Sequence, residues 1–245
     1  MSVPSLAGLL DLPGMPAAAE QARSRTDALL RHRILRRRSA QVSAESLLRA
    51  AWASASLSGY DGAWADVRAD ADPRLHGALR AHEALGSLAG TWRLAPAQAL
   101  ARLHLLAAPA GADPDRVGRP VAGERIASRL DGVRRLVVAD TGVPAVLEAA
   151  VVHAEILSLR AFGAESGIVA RAAARLVMIV RGLDPRALTV PEVGHREDVA
   201  EYAAALSAYA GGGADGVARW LRHCCAAAER GAQEGLAICE SVARG

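Results

Sequence analysis

With one phenylalanine, three tyrosines and four tryptophans among 245 residues, this chain has few planar side chains from which to build a core. Its interior must come from alanine, leucine and valine. Alanine and leucine are strong helix formers, whereas strands draw on aromatic and β-branched residues. The composition therefore predicts an all-α protein of closely packed helices. Its 245 residues suffice for one sizeable core.

All 29 basic residues are arginine, and there is neither lysine nor asparagine. That pattern is expected of codon bias in a GC-rich genome. The net charge is +3, and Arg31, Arg33, Arg36, Arg37 and Arg38 concentrate it. Such a run can attract nucleic acid or an acidic partner. Without interleaved aromatics, a solvated helix face is the commoner outcome. No apolar run reaches the roughly 18 residues of a membrane span. The apolar stretch Met1 to Gly14 lacks the basic start of a signal peptide. Three cysteines, two of them adjacent (Cys224 and Cys225), cannot form a full disulfide set and fit a reducing compartment. A cytoplasmic protein is expected. His223-Cys224-Cys225 hints at metal, but no second Cys/His pair stands at zinc spacing. Core thiols are the better reading, and no metal is expected.

Pro13 and Pro16 mark an irregular arm over residues 1–16, and one helical domain follows over 17–245. Helical patterns run from Ala17, from Ser43 to near Gly59, from Arg74 to Leu88, and from Pro96 to Ala107. Further patterns cover Ala145 to Leu159, Ile168 to Arg181, His195 to Tyr209, and the chain from Val217. Residues 108–123 read as a Pro/Gly/Asp-rich loop. A short hairpin fits around Leu136 to Thr141.

The stretch from His153 to Arg171 contains Arg160-Ala161-Phe162-Gly163-Ala164-Glu165-Ser166-Gly167-Ile168. It resembles the active-site motif of the Fic (Fido-domain) family, H-P-F-x-x-G-N-G-R-x-x-R, with most chemical letters changed. Phe162, Gly167 and Arg171 remain. Arg160 stands at the histidine, Ala161 at the proline, Glu165 at the first glycine, Ser166 at the asparagine and Ile168 at the first arginine. Flanking elements match in order. Ser54 to Gly59 resembles the inhibitory pattern [S/T]-x-x-x-E-G, with Ser58 at the glutamate, inside an inhibitory-helix-like segment over 43–59. Leu103-His104 with Gly118-Arg119, then Tyr202, Leu206 and Arg219-Trp220-Leu221, resemble further family elements.

The resemblance implies a Fic-like helical bundle whose relatives transfer AMP from ATP, with magnesium, to a protein hydroxyl. The motif-like segment is 153–175. Arg160 cannot serve as the general base, because a guanidinium stays protonated; losing such a base costs about 10²–10⁴ in rate. Ala164 offers no magnesium ligand, and Ile168 removes one phosphate-pairing arginine. Ser166, Gly167 and Arg171 are the remaining nucleotide-binding candidates, with Ser58 and Gly59 in the regulatory position. Ser58 has no charge with which to pair a motif arginine, and Ile168 none to answer it.

Two readings stay open. One is a pseudoenzyme that binds a nucleotide, a phosphate or a partner protein. The other is a divergent nucleotidyl or phosphoryl transferase using Arg160, Glu165 and Arg171. Nucleic-acid binding through Arg31 to Arg38 is a third idea. Arg160 paired with Glu155 or Glu165, and Arg171 as a plain helix-face charge, are the bland alternatives. His104 and His153 read as packing residues.

Overall fold

The computed structural model describes residues 8–139 and 141–244. Among them, eleven α-helices and three short 3-10 turns carry the fold, and no strand occurs. The helices are α1 (Met15–Leu30), α2 (Ser39–Ser56), α3 (Pro73–Glu83), α4 (Leu85–Leu94), α5 (Pro96–Ala107) and α6 (Glu124–Val138). They continue with α7 (Ala145–Ser158), α8 (Ser166–Val180), α9 (Pro191–Glu197), α10 (Val199–Gly211) and α11 (Ala214–Arg244). Prolines open α3, α5 and α9, where a missing N–H costs nothing.

The centre is α7. Every residue from Val146 to Ile156 is buried, so this helix is enclosed on all sides. It packs along α8, and α10 and α11 close around it. The 31-residue α11 is the opposite kind of helix, one apolar stripe and one polar face, lying against α1, α9 and α10. Alanine and glycine make the close approach possible. A Cβ on Gly194 would lie 2.5 Å from the Ala227 carbonyl oxygen, and one on Gly231 would lie 2.5 Å from the Pro191 nitrogen. Here α9 and α11 touch backbone to backbone.

Buried carboxylates tie the bundle laterally. Glu155 on α7 pairs with Arg129 on α6 and accepts from the Tyr209 hydroxyl of α10 at 2.6 Å. Glu192 on α9 lies 3.1 Å from Arg175 of α8 and 3.1 Å from His82 of α3. Burial alone would raise the Glu192 pKa, but Arg175 and His82 overcome it and hold the group down to about 2.

Several boundaries differ from expectation. The arm is shorter, since α1 begins at Met15; its first seven residues lie outside the described residues. The pattern over 74–88 is split between α3 and α4 at Ala84, and that over 195–209 between α9 and α10 at Asp198. Asp198 caps the second of these by accepting from the Glu201 amide at 2.9 Å. The hairpin around Leu136 to Thr141 does not form among the described residues; Asp140 lies outside them. Leu136-Val137-Val138 instead ends α6, whose buried Val133 and Val137 and half-buried Ile126 and Leu130 recur at helical spacing. Among the described residues, no helix is long and apolar enough to cross a membrane.

The Glu192 carboxylate sets an acid limit. Its folded pKa lies below the ordinary 4.5, so the stability it contributes is full above that value and is lost as pH falls toward about 2. Glu192→Gln should cost on the order of 3 kcal/mol at pH 7, and much less at pH 3. Chemical denaturation of both proteins at the two pH values checks this.

Candidate functional site

The loop between α7 and α8 is shaped by how α7 ends. The Arg160 amide donates to the Leu157 carbonyl at 3.0 Å, and the Ala161 amide donates to the Ile156 carbonyl at 3.2 Å. Together these form a Schellman cap, which needs a left-handed residue at its corner. That residue is Arg160, with φ of 48°. Glycine normally fills this place, and a side chain there costs roughly 1–2 kcal/mol. The Arg160 side chain is exposed, and no carboxylate among the described residues pairs with it. Glu155 is committed to Arg129, and Glu165 faces His104. The pairing of Arg160 with Glu155 or Glu165 is therefore corrected.

Beyond the cap the loop closes on itself. The Phe162 amide donates to the Ser166 Oγ at 2.8 Å, and that hydroxyl donates to the Gly163 carbonyl at 2.9 Å. Ser166 is buried, so its hydroxyl serves the loop. Ile168, at the place of the family's first arginine, is core.

Arg171 is 2% exposed, and four of its five N–H donors have partners. Its Nε donates to the Ser54 Oγ at 2.9 Å, and its Nη2 donates to the Ser54 carbonyl and the Ser58 Oγ, both at 2.7 Å. Its Nη1 reaches the Tyr202 hydroxyl at 3.3 Å. The Ser54 carbonyl belongs to the last turn of α2, where unpaired carbonyls and the helix dipole favour a cation. Gly167 lies flush against this arrangement: a Cβ there would sit 3.1 Å from both Arg171 Nη2 and Ser58 Oγ. So Ser58 does meet a motif arginine, through a neutral hydroxyl; the answering residue is Arg171, not the one at position 168. Arg171 as a helix-face charge is corrected too. Gly59 completes the turn with φ of 92°, and its carbonyl accepts from Arg74 at 2.6 Å.

On the other side of the loop, residues 108–122 fold back over it, tied by the Val121 amide donating to the Ala161 carbonyl at 2.8 Å. Between them lies a cleft of about 580 Å³. It is lined by Asp113, Asp115, Arg116, Arg119, Glu165 and His104 with apolar neighbours, so charges of both signs face it. His104 on α5 accepts from the Gly118 amide at Nδ1, 3.1 Å away, which leaves the ring proton on Nε2. That nitrogen is 3.7 Å from Glu165 Oε2, and the ring packs on Phe162 at 5.1 Å. Burial lowers the His104 pKa, and Glu165 opposes this. The sequence placed His104 in packing; its position beside Glu165 is set by α5 and could not be read from spacing.

The structure does not bring Arg160, Glu165 and Arg171 to one point. Arg160 faces solvent, Glu165 faces His104, and Arg171 faces α2 and α10. No magnesium ligand stands at Ala164, and Arg171 is buried with four of its donors taken by Ser54, Ser58 and Tyr202. The residues present do not fit a magnesium-bound nucleotide. Arg31, Arg33, Arg36, Arg37 and Arg38 are exposed on the turn between α1 and α2, away from this site; Arg38 also donates to the Val242 carbonyl at 2.8 Å.

Two substitutions should move stability in opposite directions. Arg160→Gly relieves the left-handed corner and should stabilise by about 1 kcal/mol. Arg171→Ala leaves Ser54, Ser58 and Tyr202 without their donor and should destabilise by about 2–3 kcal/mol. Urea denaturation of both variants against the parent protein decides each sign.

Comparison with known proteins finds no matching family model and no matching curated protein. Solved structures do match. A Fic family protein from Desulfovibrio desulfuricans G20 aligns with a TM-score of 0.71 at 16% identity, covering 90% of this chain and 74% of that one. Fic-1 (residues 134–508) from C. elegans aligns with a TM-score of 0.72 at 16% identity, covering 93% and 73%. At such identity the likeness is one of fold. This all-α chain has the fold of Fic family proteins.

Proposed function

We propose that this chain is a Fic-fold protein that no longer transfers AMP and acts by binding a partner protein in the cleft between residues 108–122 and the loop after α7. The observation that carries this reading is the state of Arg171. That guanidinium is buried and gives four of its five N–H donors to Ser54, Ser58 and Tyr202, so a phosphate would have to compete with them. Arg160 cannot accept a proton, and Ala164 cannot hold a metal. The cleft remains. Its three carboxylates repel a triphosphate, while its mixture of signs suits the alternating donors and acceptors of a polypeptide. Three buried, unpaired cysteines accord with a reducing interior, and we place the protein in the cytoplasm.

A second reading draws on His104 and Glu165. Their 3.7 Å approach at the cleft favours proton transfer to or from a bound group, and hence a divergent transferase.

The test is an adenylyl-transfer assay with labelled ATP and magnesium, beside thermal shifts against ATP, ADP, AMP and GTP. No transfer and no shift are expected, with Arg160→His restoring neither. Transfer that vanishes in Arg171→Ala would overturn the proposal. Transfer that survives in Arg171→Ala and vanishes in Glu165→Gln would establish the second reading.

A further inference from the structure

Four helices bring together a set of side chains that no spacing in the sequence announces. His153 lies on α7, His195 on α9 and Cys224 on α11, and one donor atom from each lies within 4.8 Å of the others. All three are buried. They border a cavity of about 30 Å³, which Met178 of α8 also lines. That volume is enough for one small occupant.

Both imidazoles are oriented from behind. His153 Nε2 lies 2.8 Å from the Tyr202 hydroxyl, and His195 Nδ1 lies 2.9 Å from His223 Nε2. Each ring is thereby oriented through one nitrogen, and a partner behind the ring is what steadies a metal-bound histidine.

We propose that His153, His195 and Cys224 form a buried site for one monovalent copper ion. Two imidazoles and a thiolate are a soft donor set, which selects copper over magnesium or calcium. Charge then favours the monovalent ion. Arg171 and Arg175 line the same cavity, and only Arg175 has a carboxylate partner, Glu192. A thiolate with a monovalent ion is neutral beside Arg171, whereas a dication would leave a positive centre there. Binding forms the sulfur–copper bond and releases the Cys224 thiol proton to solvent, one per ion. Donors of a metal bound at about 2.0–2.3 Å stand some ~3.3–3.8 Å apart. The side chains must therefore draw inward, and an enclosed site takes its ion during folding or local opening.

The full chain should be refolded anaerobically with copper(I) and reductant, desalted, and challenged with a copper(I) chelator. One copper per chain is expected to remain, with X-ray absorption showing nitrogen and sulfur neighbours together. Cys224→Ala and His195→Gln should each weaken retention at least tenfold, while Cys225→Ser and Cys239→Ser retain the ion. Circular dichroism reports whether each variant folds; if one does not, the absorption spectrum of the parent protein decides alone. Copper lost equally from parent and Cys224→Ala, a shell without sulfur, or zinc held in preference at the same residues would each overturn the assignment.

Discussion

The guanidinium of Arg171 is the point on which the architecture around the loop turns. It is a charge held almost wholly out of water, and such a charge is tolerated only when its donors are met. Here Ser54 comes from the last turn of α2, Ser58 from the turn that follows it, and Tyr202 from α10. One side chain on α8 thus fixes the end of an early helix and the face of a late one. Gly167 must stay small for the same reason, since the guanidinium fills the space above its Cα. In a nucleotide-binding protein those donors would point at a ligand. Here four of them are taken up by the fold, and the side chain is an internal strut.

The opposite side of the same loop has the reverse character. The segment over residues 108–122 meets it through a single backbone hydrogen bond, from Val121 to Ala161. Proline and glycine interrupt it throughout, and charged side chains of both signs line the space beneath. Such segments have few apolar contacts to hold them and open at low free energy. Rigidity on one face and compliance on the other are what the proposed binding in the cleft rests on.

Much of this was legible in the sequence. The scarcity of aromatics and the alanine–leucine periodicity fixed the helical class, and proline and glycine marked most helix ends. The order of Ser54–Gly59, His104, the Arg160–Arg171 stretch and Trp220 pointed to the fold that the solved structures share. Other features escaped because they depend on tertiary contacts. α6 was obscured by Leu136-Val137-Val138, whose β-branched run reads as strand until the buried face of the whole segment is considered. The partners of Arg171 and Glu165 lie 117 and 61 positions away in Ser54 and His104. The histidine–cysteine cluster draws on positions 153, 195 and 224, which no spacing rule connects.

The backbone contact between α9 and α11 has a mechanical consequence. At Gly194 and Gly231 no side chain separates the two helices, and the residues on either side of each glycine are larger. Sliding or rotating α11 by one residue would drive a Cβ into the facing peptide. The contact acts as a keyway: it admits one register and blocks its neighbours. Since α11 also lies along α1 and α10, that single alignment propagates through half the bundle. A core of small side chains, which forgoes the large area that aromatics would bury, gains in return an assembly that can close in only one way.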